Sequence, residues 1–158
     1  MTKSTIKHFG LWCGVLAVGL VGVALLLSRQ TGDKLELPDY PRVVAQIGSE
    51  EFTLLKTQTA QQSALGLGAV PKLPARYGML FYGQGQMGFW MKGMTYPIDM
   101  VWLDSENTVV HVVHDAQPDS YPKTVFVNPP ETDARIVIEI TAGEAKRLQI
   151  EPGMKILL

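Results

Sequence analysis

The sequence predicts a mainly β protein of the α+β type: a small, partly closed antiparallel β-barrel with two short helices, preceded by one transmembrane helix. Two observations lead to this prediction. Residues 42–158 contain nine short runs rich in β-branched and aromatic residues, separated by turn signals. Residues 9–27 form a 19-residue run without a charged side chain. Many short strands with tight turns are typical of an antiparallel sheet that curls on itself.

The uncharged run predicts a membrane anchor. At 1.5 Å per residue, a helix over residues 9–27 is about 28 Å long, which matches the hydrocarbon core of a bilayer. Lys3 and Lys7 precede the run and Arg29 follows it, whereas every acidic residue comes later. The positive-inside rule then places the amino terminus in the cytoplasm and the carboxy-terminal domain outside, in the periplasm or the extracellular space.

The predicted domain organisation has three parts. Residues 1–29 form the amino-terminal membrane anchor, residues 30–41 a short tether, and residues 42–158 the β domain. A cleaved signal peptide that ends at Ala24 is the alternative, because Gly22 and Ala24 are small residues at the spacing of a cleavage site. The uncharged run continues through that site, which favours the uncleaved anchor.

Charge and cysteine content narrow the classes of partner. Three of the 14 basic residues flank the uncharged run, which leaves 11 basic against 15 acidic residues in the rest of the chain. A mildly acidic domain without a basic stripe does not suit nucleic acid, so no nucleic acid is predicted as a partner. The single cysteine, Cys13, lies inside the uncharged run, so the β domain has no thiol and no disulfide.

The β domain is predicted to contain nine strands and two helices. Thr59 and Gln62 have the spacing of a capping box, which predicts a short helix that ends at Gly66. Thr141 and Glu144 repeat this pattern and predict a second short helix near the carboxy terminus. The predicted strands cover residues 42–48, 51–57, 78–82, 89–92, 98–104, 108–114, 124–127, 135–140 and 155–158.

Residues 89–104 gather unusual side chains around one proline and are predicted to form the central hairpin of the barrel. Lys92 and Asp99 stand symmetrically about its turn, so they can face each other across the two strands. A carboxylate on an apolar face needs a partner, and an ion pair that fixes the strand register is the structural interpretation. The functional interpretation is a cleft at the turn, whose ligand-binding residues are Trp90, Lys92, Tyr96 and Asp99.

Glu139 is a second carboxylate on a predicted strand. Alternation along residues 135–140 places it on one face with Arg135, and a half-buried pair with Arg135 or Lys92 is the structural interpretation. If Glu139 and Asp99 lie across one cleft, they are the candidate catalytic residues of a hydrolase.

Other kinds of chemistry find little support in the β domain. It has no Gly-x-Ser-x-Gly elbow, and its Gly-rich segment, residues 83–88, joins two strands rather than opening a helix. His111 and His114 are three positions apart along a strand, so they point to opposite faces. No metal and no cofactor is predicted. Five methionines lie close together in sequence: Met79, Met87, Met91, Met94 and Met100. Methionines can be ligands of Cu(I) or residues of the hydrophobic core, and the core interpretation is preferred.

Several short signatures in the β domain resemble a known family. They are Gly78-Met79-Leu80-Phe81, Phe89-Trp90-Met91-Lys92, Pro97-Ile98-Asp99, Ile138-Glu139-Ile140 with Ala142-Gly143, and Ile150 with Gly153. In this order and spacing they are similar to the DUF192 (UPF0127) family, over about residues 42–158. The resemblance implies a small β-rich fold, often carried behind a signal or a membrane anchor, and it implies no established activity.

The chain also departs from the commoner pattern of that family. Members often carry Arg at the positions of Ser63 and Val70, Met at the position of Gly68, and Asn-Thr at the position of Gly93-Met94. An anionic ligand gripped by those two Arg side chains is therefore not expected here.

Taken together, the sequence predicts an uncharacterised, membrane-anchored extracytoplasmic domain that acts as a binding module for an envelope, glycan or peptide ligand. A binding module is preferred to an enzyme. One alternative is a hydrolase that uses Asp99 and Glu139. Another is a structural partner of a membrane complex, which would present a flat apolar patch.

Overall fold

A six-stranded mixed sheet forms the centre of the computed structural model, which describes residues 37–158. The strand order across the sheet is β1-β2-β3-β8-β5-β6. Two further strands, β4 and β7, pair with each other in a separate small sheet. The strands are β1 (Arg42–Ile47), β2 (Glu50–Lys56), β3 (Tyr77–Tyr82), β4 (Gly88–Phe89), β5 (Ile98–Leu103), β6 (Val109–Ala116), β7 (Phe126–Val127) and β8 (Ile136–Thr141).

The connection between β2 and β3 makes the sheet mixed. These two strands are parallel, whereas the other neighbouring pairs are antiparallel. Parallel neighbours need a crossover, and here it contains helix α1 (Ala60–Leu65) followed by a 3₁₀ turn (Gly66–Ala69). The predicted capping box is confirmed, because Thr59 Oγ1 accepts the Gln62 N–H at 3.1 Å and Gln62 Oε1 accepts the Thr59 N–H at 3.2 Å.

The predicted barrel is wrong, although the mainly β fold with two short helices is confirmed. The sheet stays open because β1 and β6 are its two edges and do not pair with each other. Residues 155–158 form no continuous strand. They make only isolated bridges, from Leu157 to Gln46 on β1 and from Lys155 to Thr108 just before β6.

The predicted central hairpin is also wrong. β5 is fully buried, and its two edges are occupied by β6 and β8, so residues 89–92 have no free edge to pair with. β4 instead pairs with β7, and the chain turns through residues 90–97 before it enters β5. As a consequence Lys92 is exposed while Asp99 is buried, and they do not form an ion pair.

The sheet separates two hydrophobic cores. One face is covered by helix α2 (Glu144–Arg147) and the carboxy-terminal segment, with a core that includes Val101, Leu103, Ile138 and Ile140. The other face is covered by the 3₁₀ turn and residues 87–96, with a core that includes Leu67, Met79, Phe81, Met91, Met100 and Trp102. Residues on alternate positions of β5 and β8 therefore enter different cores.

The predicted anchor over residues 9–27 and most of the predicted tether lie outside the described residues. Within residues 37–158, no helix has the length and hydropathy needed to cross a bilayer. The described residues belong to one compact unit, Glu36–Leu158.

Candidate ligand-binding cleft

A cleft of about 370 Å³ opens on the face of the sheet that carries residues 87–94. Its volume is within the range of small-ligand sites. One wall is formed by the end of α1 and the 3₁₀ turn, and the other by the end of β3, by β4 and by the turn that follows. Most of the lining is apolar: Ala64, Leu65, Leu67, Phe81, Met87, Phe89, Trp90 and Met94, with Ser63, Tyr82, Lys92 and Glu139 as its polar side chains and glycines 66, 68, 83 and 88 between them.

The buried side chain of Asn128 holds the loop that forms one wall. Its Oδ1 atom accepts the Met87 N–H at 2.8 Å, and its Nδ2 atom donates to the Gly85 carbonyl at 3.2 Å and to Thr132 Oγ1 at 2.9 Å. Residues 83–87 are thus held by this amide side chain together with the backbone hydrogen bonds from Gly83 N–H to the Arg135 carbonyl and from Gly85 N–H to the Ala134 carbonyl. The sequence reasoning missed Asn128, and its only signal was an Asn before two prolines.

A row of aromatic rings supports the same wall from beneath. Phe81 meets Phe89 at a centroid distance of 5.0 Å, and Phe89 meets Trp102 at 5.9 Å, both in edge-to-face geometry. Trp102 also donates its indole N–H to the Met87 carbonyl at 3.1 Å. These contacts join the small β4–β7 sheet to the central sheet.

Gly68 allows the two walls to approach each other closely. A Cβ atom at this position would lie 2.7 Å from the Lys92 carbonyl oxygen, closer than real Cβ contacts come. Gly68 therefore packs directly against the backbone of residues 92–93. This contact sets the width of the cleft at that end.

Glu139 forms part of the floor of the cleft and is 4% exposed. It lies on β8 between two buried methionines, because Met79 on β3 and Met100 on β5 are its neighbours across the sheet. Among residues 37–158, no side chain or backbone amide hydrogen-bonds to its carboxylate. Burial without a partner raises the pKa of Glu139 to about 8.

Tyr96 lies close to Glu139, although it is not part of the cleft lining. Its hydroxyl group is buried and has no hydrogen-bond partner within the described part of the chain. Burial, and then the charge of Glu139, raise the pKa of Tyr96 to about 12. The floor region therefore holds two polar groups that the fold itself leaves unpaired.

The rim of the cleft carries large side chains that are open to solvent. Leu65 is 51% exposed, Tyr82 52% and Trp90 47%. Lys56 Nζ lies 4.7 Å from the centroid of the Tyr82 ring. With Lys92, two ammonium groups are therefore found at or near the rim, and one carboxyl group is found at the floor.

The structure divides the predicted ligand-binding residues. Trp90 and Lys92 line the cleft, and Tyr96 does not line it but lies near enough to Glu139 to be affected by its charge. Asp99 does not belong to the site. Its neighbour across β8 is Ile140, which lies in the core on the other face of the sheet.

Asp99 instead fixes the fold. Its Oδ1 atom accepts the Asp115 N–H at 2.8 Å, and its Oδ2 atom accepts the Ala145 N–H, in the first turn of α2, also at 2.8 Å. The predicted capping box at Thr141 is wrong, because α2 begins after Gly143 and no side chain within its own segment caps it. A carboxylate from a distant strand provides that cap instead.

Asp99 and Glu139 do not face each other. Asp99 pairs in register with Ile140, and Glu139 with Met100, so the two carboxylates point to opposite faces of the sheet. The expected pairing of Glu139 with Arg135 is not found either, since Arg135 Nη2 contacts Asp133 at 2.8 Å.

The five clustered methionines have two different roles. Met79, Met91 and Met100 are completely buried core residues, as the core interpretation expected. Met87 and Met94 are partly buried and line the cleft.

Sequence reasoning missed the contribution of the first helix and the 3₁₀ turn to the site. A signal was present, because two departures from the family pattern, at Ser63 and Gly68, fall in these two elements. Ser63, Gly68 and Met94 each occupy such a position, and all three line the cleft.

Two solved structures have the same fold. One is a protein of unknown function from Novosphingobium aromaticivorans DSM 12444, with a TM-score of 0.70 and 24% identity, over 77% of this chain and 89% of that chain. The other is a candidate transcription regulator from Sinorhizobium meliloti 1021, with a TM-score of 0.67 and 23% identity, over 77% of this chain and 96% of that chain. At this identity the likeness concerns the fold alone.

No curated protein matches the chain. The family model of DUF192, which carries the description "Uncharacterized ACR", matches residues 43–158. This range covers the sheet from Val43 onward and every residue that lines the cleft. The chain therefore belongs to the DUF192 family.

Proposed function

We propose that this protein is a membrane-anchored binding module whose cleft takes apolar side chains of a peptide outside the cytoplasm. The observation that carries the proposal is the position of the exposed hydrophobic residues. Leu65, Tyr82 and Trp90, each about half exposed, all line the same cleft. A cluster of this kind around a concave site is a mark of an interaction surface.

The exposed apolar surface continues beside the cleft. Val125 and Val127 are also exposed, and their side chains approach Gly88 on the cleft wall, at 3.0 and 3.3 Å from the position of a Cβ atom there. Removal of exposed hydrophobic groups of this size from water by a partner lowers the free energy of the complex. The β4–β7 sheet therefore extends the surface that a ligand can contact.

The shape of the site favours an extended ligand. A second depression of about 340 Å³ shares Ala64, Leu65, Gly68 and Lys92 with the cleft and continues past them to Gln61 and Gly93. Two adjoining depressions suit two side chains of one chain-like ligand.

The lining favours a peptide over a glycan. Sugar rings carry many hydroxyl groups, and each needs a hydrogen-bond partner when it is buried. The cleft offers only four polar side chains, namely Ser63, Tyr82, Lys92 and Glu139. Apolar side chains fit the remaining surface without leaving unpaired polar groups.

The other two functions considered from the sequence have less support. A hydrolase that uses two carboxylates needs both of them in one cleft, and Asp99 lies on the opposite face of the sheet from Glu139. A structural partner of a membrane complex suits a flat patch, whereas these exposed residues surround a concave site.

Binding of a tetrapeptide by the full chain in lipid nanodiscs tests the proposal. The probe is an acetylated, amidated peptide that contains para-fluorophenylalanine and norleucine, and fluorine NMR reports its binding. We expect Trp90→Ala to weaken binding about tenfold, because an exposed Trp at a site of this kind is a typical hot spot.

Leu157→Ala is the matched control, since Leu157 is 65% exposed and lies outside the cleft. It should leave peptide affinity unchanged. Equal affinities of the wild type and Trp90→Ala would overturn the proposed site. Binding of a chitin tetrasaccharide at the cleft in place of the peptide would support a glycan ligand instead.

A further inference from the structure

The floor of the cleft has a chemistry that apolar binding alone does not use. Glu139 faces the cavity between two buried methionines, and none of residues 37–158 donates a hydrogen bond to it. The point where a Cβ atom of Gly66 would lie is 3.8 Å from Phe81 Cζ and 4.0 Å from Glu139 Oε2. Glu139 and Phe81 thus both border the end of the cleft beside Gly66.

We infer that the cleft recognises a primary ammonium group on an apolar chain, with Glu139 as its ion-pair partner at the floor. This inference rests on the proposed function and specifies one group of the ligand. A lysine side chain of a peptide and a free alkylamine share this chemistry.

An ammonium group satisfies the unpaired carboxyl group of the floor. It donates charge-assisted hydrogen bonds to the carboxylate, and these are stronger than bonds between neutral groups. The methylene groups of the same chain contact the apolar walls, as lysine stems do on protein surfaces.

Neither a neutral donor nor an anion fits the floor equally well. An uncharged hydroxyl group gains less in an apolar cavity, because it forms no ion pair there. An anion would form no ion pair with Glu139, and its charge would raise the pKa of this carboxyl group further.

The other polar groups near the floor do not take the role of the ammonium group. Tyr96 and Tyr82 carry uncharged hydroxyl groups, which form no ion pair. The Ser63 hydroxyl group of α1 donates a hydrogen bond to Thr57 Oγ1 at 3.1 Å. Lys92 is the one cation that lines the cleft among the described residues, and it is exposed and makes no ion pair with Glu139. Lys92 is therefore the internal competitor that the experiment has to remove.

Paired peptides test the inference on the full chain in nanodiscs. The norleucine peptide of the previous experiment is compared with the same peptide carrying lysine, and n-hexylamine is compared with n-hexanol to represent free amines. We expect the wild type to bind the lysine peptide about tenfold more tightly than the norleucine peptide. Glu139→Gln should remove this preference, so that the variant binds the two peptides with similar affinity.

Two further variants separate the possible explanations. Trp90→Ala should lower the affinity for both peptides by the same factor, because it removes an apolar contact that both peptides make. Lys92→Met should retain or increase the preference for lysine. A preference for lysine that disappears in Lys92→Met or persists in Glu139→Gln would overturn the inference. A preference limited to n-hexylamine over n-hexanol assigns the ammonium group to a small amine, and one limited to the lysine peptide assigns it to a peptide.

The two proposals fail in different ways. If both peptides bind the wild type equally, and n-hexylamine binds no better than n-hexanol, the ammonium site is wrong while the binding function stands. If neither peptide binds, and neither hexyl compound binds, both proposals fail.

Proton release provides a measurement on the wild type that does not depend on the folding of a variant. The free carboxyl group of Glu139 is mostly protonated at pH 7, and an ammonium partner stabilises its ionised form. Calorimetry in buffers of different ionisation enthalpy should show release approaching one proton per lysine peptide at pH 7 and much less at pH 9. Binding of the lysine peptide without proton release would contradict the ion pair.

Discussion

At the scale of single residues, two buried carboxylates in neighbouring strands have opposite surroundings. Asp99 accepts hydrogen bonds from two backbone amides, one to each oxygen. Glu139 accepts none from the described residues and lies at the wall of a cavity. A fully bonded carboxylate stabilises the fold, whereas an unpaired one costs stability and is retained more readily where it has a function.

Asp99→Asn should destabilise the protein without affecting the cleft. An amide nitrogen in place of one oxygen leaves a buried backbone N–H without an acceptor, which costs about 1–3 kcal/mol. Urea unfolding measures the change in the free energy of unfolding. Peptide affinity of the folded variant should equal that of the wild type, and a selective loss of binding would return Asp99 to the site.

Glu139 should make stability fall as pH rises. Its pKa is about 8 in the folded protein and 4.5 in its ordinary state, so the folded state binds more protons between these values. The contribution of Glu139 to the free energy of unfolding is therefore largest below pH 4.5. It decreases as the pH rises from 4.5 to about 8 and is constant above that.

Glu139→Gln removes the group that titrates and serves as the comparison. Urea unfolding of both proteins from pH 5 to pH 9 should show that the variant gains stability relative to the wild type by a few kcal/mol as pH rises. A constant difference across this range would show that Glu139 does not titrate with a raised pKa.

At the scale of elements, the cleft depends on pieces that have little regular structure of their own. The loop of residues 83–88 is fixed by Asn128, and the 3₁₀ turn is fixed by the close approach of Gly68 to the backbone at Lys92. Both contacts join segments that are far apart in the chain. The walls of the site therefore depend on tertiary contacts rather than on local propensity.

Asn128→Ala should lower both stability and affinity. It leaves the part-buried Met87 N–H and Gly85 carbonyl without the Asn128 side chain as a partner, and we expect a loss of about 1–3 kcal/mol in total. The loop that carries one wall of the cleft should then exchange its amide hydrogens faster, as hydrogen-exchange mass spectrometry can show. Unchanged exchange in residues 83–88 would mean that other contacts hold this wall.

At the scale of the whole molecule, the sheet separates the carboxylate that caps α2 from the cleft that is proposed to bind a ligand. One face carries α2 and the carboxylate that caps it, and the other face carries the cleft. Changes on the first face should act mainly through stability, and changes on the second through binding. The proposed membrane anchor would keep this domain close to the membrane, on its extracytoplasmic side.

The full chain should remain in the membrane fraction after extraction with alkaline carbonate. Residues 9–27 are long and apolar enough to span a bilayer, and the basic residues around them favour an outward domain. Protease added from outside should cut residues 37–158 and leave the amino terminus protected. Recovery of a soluble chain that starts after Ala24 would instead identify a cleaved signal peptide.

The sequence alone determined the position of most strands along the chain, the cap of the first helix and the family. Hydrophobic alternation and turn residues report local preference, and six of the predicted strands coincide closely with β1, β2, β3, β5, β6 and β8. The order and spacing of five short signatures together were enough to identify the DUF192 family. Two of the predicted ligand-binding residues, Trp90 and Lys92, line the cleft.

Only the tertiary structure decided which strands are neighbours, and that pairing decided the site. Residues 89–92 and 98–104 look like a hairpin in sequence, but β8 and β6 occupy both edges of β5. This arrangement places Asp99 in one core and Glu139 in the other. Strand order depends on long-range packing, which local patterns do not encode, so the sequence identified both carboxylates but not the side of the sheet on which each one lies.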